Sequence, residues 1–289
     1  MASLRRGVRA WPVGTYYALT LAISWGYWIV LLAQGKRVVP GSTVSHFPGL
    51  LGPFLAALIV TALLDGKRGL WDLLSRMVRW RTAWPWGVIA ALSPLFIVLF
   101  AFGLLNLFGT PFPDLDEFRS FPGLPPGMSL IEIILLVFVT NGYGEEVGWR
   151  GFALEKWLPK YGKFGATIRV AALWIFWHTP LFWLNRSMAA LIGPMLVGWI
   201  IALVSGAFLM AYLYLVNRRS LFVVALWQAA YNMVVAPPGG AGAPAAVVST
   251  VVMGWGLWIG FSWWKSGNNS EEERGGTKVR FDRSSPQAF

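Results

Sequence analysis

Apolar runs long enough to cross a lipid bilayer recur along most of this chain, and no other feature limits its fold so strongly. They fall at about 14–34, 47–64, 84–108, 129–147, 165–184, 189–216, 220–236 and 245–264. A helical span needs about 20 mostly apolar residues, whereas a membrane strand needs about 9–11 of alternating polarity. These runs are too long for strands and show no alternation. The expectation is an all-α, polytopic membrane protein of about eight transmembrane helices. Composition agrees: 56% of the 289 residues are hydrophobic and 13% charged, against roughly 25% charged in an ordinary soluble domain.

The net charge of +11 sits in clusters beside the apolar runs, which suits topology signals and anionic-lipid contact rather than nucleic-acid binding. Arg5, Arg6 and Arg9 precede the first run, and Lys67, Arg68, Arg76, Arg79 and Arg81 follow the second. Lys156, Lys160 and Lys163 follow the fourth, Arg218 and Arg219 the sixth, and Lys265 the eighth. The intervening loops are poorer in Lys and Arg, and one of them, "PFPDLDEFRS", is net acidic. Every second loop is therefore basic, which predicts a multi-pass protein of the cell membrane with both termini cytoplasmic. The first run is long for a signal peptide and lacks a small-residue exit before Lys36 and Arg37, so it is expected to be a retained span. Residues 66–84 read as a cytoplasmic interfacial helix with Leu70, Leu73, Leu74, Met77 and Val78 on one face. Residues 1–264 are expected to form a single transmembrane helical domain, and 265–289 a polar, disordered cytoplasmic tail. No internal repeat of the inverted transporter kind is evident.

Against this background the stretch "NGYGEEVGWRGF", at the end of the fourth run, needs explanation. A charge near mid-membrane costs about 2.5–3.5 kcal/mol on insertion scales. If the helix continues, Glu146 and Arg150 are four apart and share a face, so they can neutralise each other. Glu145 points about 100° away and remains as a spare carboxylate, suited in low-dielectric surroundings to act as a general base. The fifth run carries "LWIFWHTP", with His178 one turn beyond Trp174. A buried histidine is often no more than a core residue bonded to nearby backbone, but this is the one histidine in any predicted span. The seventh run carries Gln228 and Asn232, four apart on one face. Such amides commonly serve as interhelical glue, yet they can also donate to a developing oxyanion. Taken together, these groups would line a water-filled cavity opening to the cytoplasm and suit hydrolysis of an acyl bond.

The chain has no cysteine and only two histidines, His46 and His178, which removes disulfide, thiolate-zinc and cysteine-nucleophile chemistry. Glu145, Glu146 and His178 have the chemistry of zinc ligands, but Arg150 both occupies Glu146 and repels a cation. No metal and no other cofactor is expected.

These residues resemble the CPBP intramembrane endopeptidases, which include the type II CAAX prenyl endopeptidases and bacterial relatives. The EExxxR motif is met by Glu145, Glu146 and Arg150, within "GWRGF". The aromatic-xxx-His motif is met by Trp174 and His178, with Trp where Phe is commoner. The third motif, HxxxN, departs: Gln228 stands where histidine is expected, and Asn232 is retained. The motif-bearing core spans 142–232. The resemblance implies an eight-helix membrane fold with a cytoplasm-facing catalytic cavity, Glu145 as the base that activates water and His178 as its partner. Gln228 and Asn232 then take the oxyanion role, supported by Glu146, Arg150 and Trp174.

The leading expectation is an intramembrane endopeptidase acting on a membrane-associated peptide or protein. The alternative is a non-catalytic membrane protein of the same family, binding a membrane peptide or partner in a regulatory or self-immunity role, for which the altered third motif would be the mark. A small-solute transporter fits less well, because the polar residues lie in one half of the chain.

Overall fold

The computed structural model describes residues 2–80 and 84–278, with side chains over 5–80 and 84–267. Among these residues the fold is helical throughout. The order is α1 (Ala2–Ala10), α2 (Pro12–Ala33), α3 (Phe47–Leu50), α4 (Gly52–Met77), α5 (Trp84–Leu107), α6 (Leu130–Val137), α7 (Gly144–Gly148) and α8 (Glu155–Trp177). There follow α9 (Leu181–Leu184), α10 (Arg186–Ala189), α11 (Pro194–Val216), α12 (Leu221–Val235) and α13 (Ala243–Lys278). Two π-helical turns, Phe138–Tyr143 and Trp149–Leu154, flank α7 and join α6 to α8.

Five helices are long and apolar enough to cross a membrane: Pro12–Ala33, Phe47–Met77, Trp84–Leu107, Pro194–Val216 and Ala243–Gly267. They fall on five of the eight expected runs. The other three runs take different forms, each for a physical reason. The run at 129–147 is interrupted by a π turn. The run at 165–184 shares a helix with the basic stretch 156–163 and ends in the separate short α9. The run at 220–236 makes a helix of only 15 residues, about 22 Å at 1.5 Å per residue and short of a 30 Å hydrocarbon core. The last helix runs beyond the expected break at 265 to Lys278; residues 279–289 of the expected tail lie outside the described residues.

The centre of the bundle is α7 with its flanking turns. Every residue of Gly144–Gly148 and of Trp149–Leu154 is buried. They pack against α4 and α2 on one side, while the turn before α7 packs on α12. The outer helices show the reverse pattern: α5 leaves Phe96, Leu99 and Phe100 exposed, as expected of a lipid-facing surface.

The end of α4 is set off by Gly66, whose backbone (φ 61°, ψ −151°) breaks the helix. The expected interfacial segment follows it, but its apolar face divides. Leu73 is buried against the bundle, whereas Leu74 and Val78 remain exposed beside Trp71; residues 81–83 lie outside the described residues. Polar contacts fasten this segment. The Tyr143 hydroxyl donates to the Met77 carbonyl at 2.6 Å, and Arg76 Nη1 donates to the Tyr214 hydroxyl at 2.9 Å. Arg76 also pairs with Asp72. Arg79 donates to the Arg218 carbonyl at 3.1 Å, and Arg219 Nε meets Glu155 at 2.7 Å.

Close approach at the centre depends on Gly148. A Cβ there would sit 2.4 Å from the Tyr16 hydroxyl and 2.7 Å from the Pro53 carbonyl oxygen. The backbone oxygen cannot swing aside, so Gly148→Ala should destabilise by about 1–3 kcal/mol. Gly103→Ala, where nothing lies within 4 Å, should be neutral or slightly stabilising. Thermal unfolding of both variants in detergent checks the contrast.

Candidate active site

Within α7 and the turn after it, Glu146 and Arg150 face each other at 2.6 Å, Oε1 to Nη1, with 0% and 1% of their side chains exposed. This is the expected i, i+4 pair. Breaking such a pair leaves an uncompensated buried charge, at a cost of about 3–5 kcal/mol.

Glu145 is directed elsewhere, as its offset along the helix requires. Its Oε2 accepts a hydrogen bond from Trp174 Nε1 at 2.7 Å. Gln228 is a second hydrogen-bonding neighbour of the same carboxylate, and since a carboxylate only accepts, the amide N–H donates. Glu145 and Gln228 are 3% and 4% exposed. Trp174 serves both acidic residues, because the Arg150 guanidinium carbon lies 5.0 Å from the centre of its ring. One indole thereby donates its N–H to Glu145 and presents its π face to the cation that neutralises Glu146.

His178 lies one turn on and is half-buried. Its Nδ1 is 2.7 Å from the Trp174 carbonyl oxygen. A carbonyl can only accept, so Nδ1 carries the proton and, in the neutral ring, Nε2 keeps its basic lone pair. Edge-to-face contacts with Trp177 and Trp199, at 4.9 and 5.4 Å, hold the ring. Among the described residues no direct hydrogen bond joins His178 to Glu145; Trp174 lies between them and bonds to each. Asn232 follows Gln228 by one turn of α12, is half-buried, and makes no side-chain hydrogen bond among the described residues. The geometry thus brings Glu145, Glu146, Arg150, Trp174 and Gln228 into one network and sets His178 at its edge, while Asn232 has no bonded link to it.

Several buried polar atoms around this network have no partner among the described residues: Glu146 Oε2, Arg150 Nη2, Gln228 Oε1, Asn141 Oδ1, Trp149 Nε1 and Trp177 Nε1. Buried polar atoms are nearly always satisfied, so this concentration marks a place built to receive polar groups. Three aromatic neighbours were not singled out from the sequence. Tyr16 lies edge-on to Trp149 at 5.8 Å, and Trp28 lies 5.0 Å from Trp177. Nothing in the apolar runs separates these rings from lipid-facing ones, so only long-range packing identifies them.

Residues 127–234 match the family model described as type II CAAX prenyl endopeptidase Rce1-like. That interval contains every residue of the network. The chain belongs to the CPBP intramembrane endopeptidase family. This CPBP protein is also 21% identical, over 77% of each chain, to the CAAX prenyl protease 2 of Methanococcus maripaludis. The family is one of membrane proteases, and the apolar helices make the chain a multi-pass membrane protein.

The division between the two glutamates is testable without any activity assay. Glu146→Gln should lower stability by about 3–5 kcal/mol, because Arg150 is left unpaired in a dry interior. Glu145→Gln, which exchanges one acceptor for an isosteric amide, should fold with a loss of no more than about 1 kcal/mol. Denaturation of the two variants side by side reads the difference.

Proposed function

We propose that this protein is an intramembrane endopeptidase in which Glu145 activates water for attack on a peptide bond. The observation that carries the reading is a buried carboxylate that is not tied to the adjacent arginine: Glu145 is held by neutral donors while Glu146 neutralises Arg150. In the proposed reaction, the water oxygen bonds to the scissile carbonyl carbon as its proton passes to Glu145. The resulting oxyanion is met by amide N–H groups of Gln228, which has a second N–H beyond the one given to Glu145, and of Asn232. Collapse breaks the C–N bond, and Glu145 returns the proton to the leaving amine. His178, fixed by its Nδ1–H, offers Nε2 to orient the water.

The substrate class follows from the setting. The relative's name supports a membrane-associated peptide or protein carrying a lipid anchor, entering from the cytoplasmic face. We place both termini in the cytoplasm of a cell-membrane protein, with a cytoplasm-facing cavity. The interrupted helical path 130–177 and the short α12 would complete eight crossings beside the five long helices. On this reading residues 1–264 act as one domain, and anionic lipid contacts the basic loops. A second reading, a non-catalytic member that binds a membrane peptide, is favoured by one observation: Gln228 cannot carry a proton as histidine can.

The decisive comparison is cleavage of a peptide library, prenylated and unmodified, by the protein in liposomes. Wild type should turn over and Glu145→Gln should not. Gln228→Ala should lose roughly 10²–10³-fold, as for a donor aimed at a developing oxyanion, while Gln228→His stays active. Wild-type turnover no greater than that of Glu145→Gln would sink the endopeptidase reading. Orientation has its own test, made clean by the absence of cysteine. A cysteine introduced at Arg76 should react only from the cytoplasmic side, and one at Asp116 only from outside.

A further inference from the structure

His46 immediately precedes α3 and is only 8% exposed. Its backbone is well held: the carbonyl accepts from Trp28 Nε1 at 2.9 Å and from the Gly49 amide at 3.1 Å. Its side chain is not. Nδ1 is buried without a partner, and the imidazole makes no hydrogen bond among the described residues. The ring fits only because residue 123 is a glycine (φ 88°), where a Cβ would lie 2.5 Å from Nδ1. An unsatisfied buried polar group costs about 1–3 kcal/mol. Phenylalanine would fill such a space without that cost, so packing does not account for an imidazole here.

The position of the ring supplies a reason. Trp28, bonded to the His46 carbonyl, lies 5.0 Å from Trp177, whose ring is 4.9 Å from that of His178. On the other side α3 packs on the turn leading into Glu145, close enough that a Cβ on Gly144 would sit 3.1 Å from the Leu50 carbonyl oxygen. Thus α3 bears on both halves of the site. The two imidazoles also sense each other. Burial pushes His46 down to about 4, and the proximity of His178 acts in the same direction.

We propose that His46 is a further substrate-binding residue of the active site: its imidazole hydrogen-bonds the peptide group of the substrate from the side of His178. The loop between α2 and α3 would thereby supply the second imidazole that α12, with Gln228, does not. No bond is made or broken by His46, and the inference rests on the endopeptidase reading above.

The test uses the full chain in liposomes and a fluorogenic library peptide that wild type cleaves. His46→Phe keeps the packing and removes both ring nitrogens; it should lower kcat/KM by about tenfold or more without lowering the thermal midpoint. His46→Gln, which can donate and accept, should recover most of the rate. A merely structural role gives the opposite pattern, with lower stability and an unchanged rate per folded molecule. A second readout is independent of turnover. Selective labelling of histidine gives only two spin systems, and saturating the Glu145→Gln protein with the peptide should shift that of His46. A His46→Phe rate equal to wild type, or an unmoved His46 signal, overturns this proposal alone. Wild-type turnover equal to that of Glu145→Gln overturns the endopeptidase reading and this proposal with it.

Discussion

Ionised side chains in a dry interior have to be neutralised at contact distance, and Glu146 and Arg150 accomplish this within one turn of helix. Much else follows from that local solution. Because the pair is self-contained, the segment around it can sit at the centre of the bundle with no face turned to water. A pair of well-packed apolar residues would often be as stable, so stability alone does not account for the charges. What the pair adds is direction: it anchors one carboxylate and the arginine, and the neighbouring carboxylate is left to point at Trp174 and Gln228.

The features legible in the sequence were those set by short-range geometry or by the choice of solvent. The i, i+4 relation of Glu146 and Arg150 follows from helical pitch, and it is met as expected. Apolar run length was enough for a helical, multi-pass protein, since a bilayer tolerates few alternatives. Span count was less legible. Hydropathy does not register a π turn, so the run at 129–147 reads as one helix although its hydrogen-bond pattern changes at Phe138. Contacts between helices were least legible of all. That Trp174 joins Glu145 to His178, rather than the two meeting directly, depends on the relative rotation of α7 and α8, which no spacing in either segment encodes. His46 was passed over because a lone histidine in a polar loop carries no local signal; its burial comes from Trp28 and Gly123, both remote from it in sequence.

The fastening of the segment after Gly66 connects the membrane surface to this centre. Tyr143, two residues before Glu145, reaches the Met77 carbonyl, while Arg79 and Arg76 reach the end of α11 and the loop after it. That loop holds Arg218 and Arg219 at φ 52° and 59°, a conformation that costs non-glycine residues of order 1–3 kcal/mol each. Such backbone persists only where its surroundings over-determine it, and here the bonds to Arg218 and Arg219 supply that constraint. The interfacial segment, the α11–α12 loop and the turn before the site therefore hold one another in place.

The π turn at Phe138–Tyr143 has a consequence for how two chemically identical groups acquire different tasks. A π turn is, in effect, one surplus residue absorbed by a helix. Removing that residue would restore ordinary pitch and rotate everything beyond it by roughly 100° relative to α6. That angle is also the one separating Glu145 from Glu146. A single-residue slip would thus bring the second glutamate round to the bearing of the first, with no change in composition and almost none in hydropathy. Which carboxylate faces Trp174 is settled by the count of residues in one turn, and a deletion there would be silent to any measure of sequence character while exchanging the roles of two neighbours.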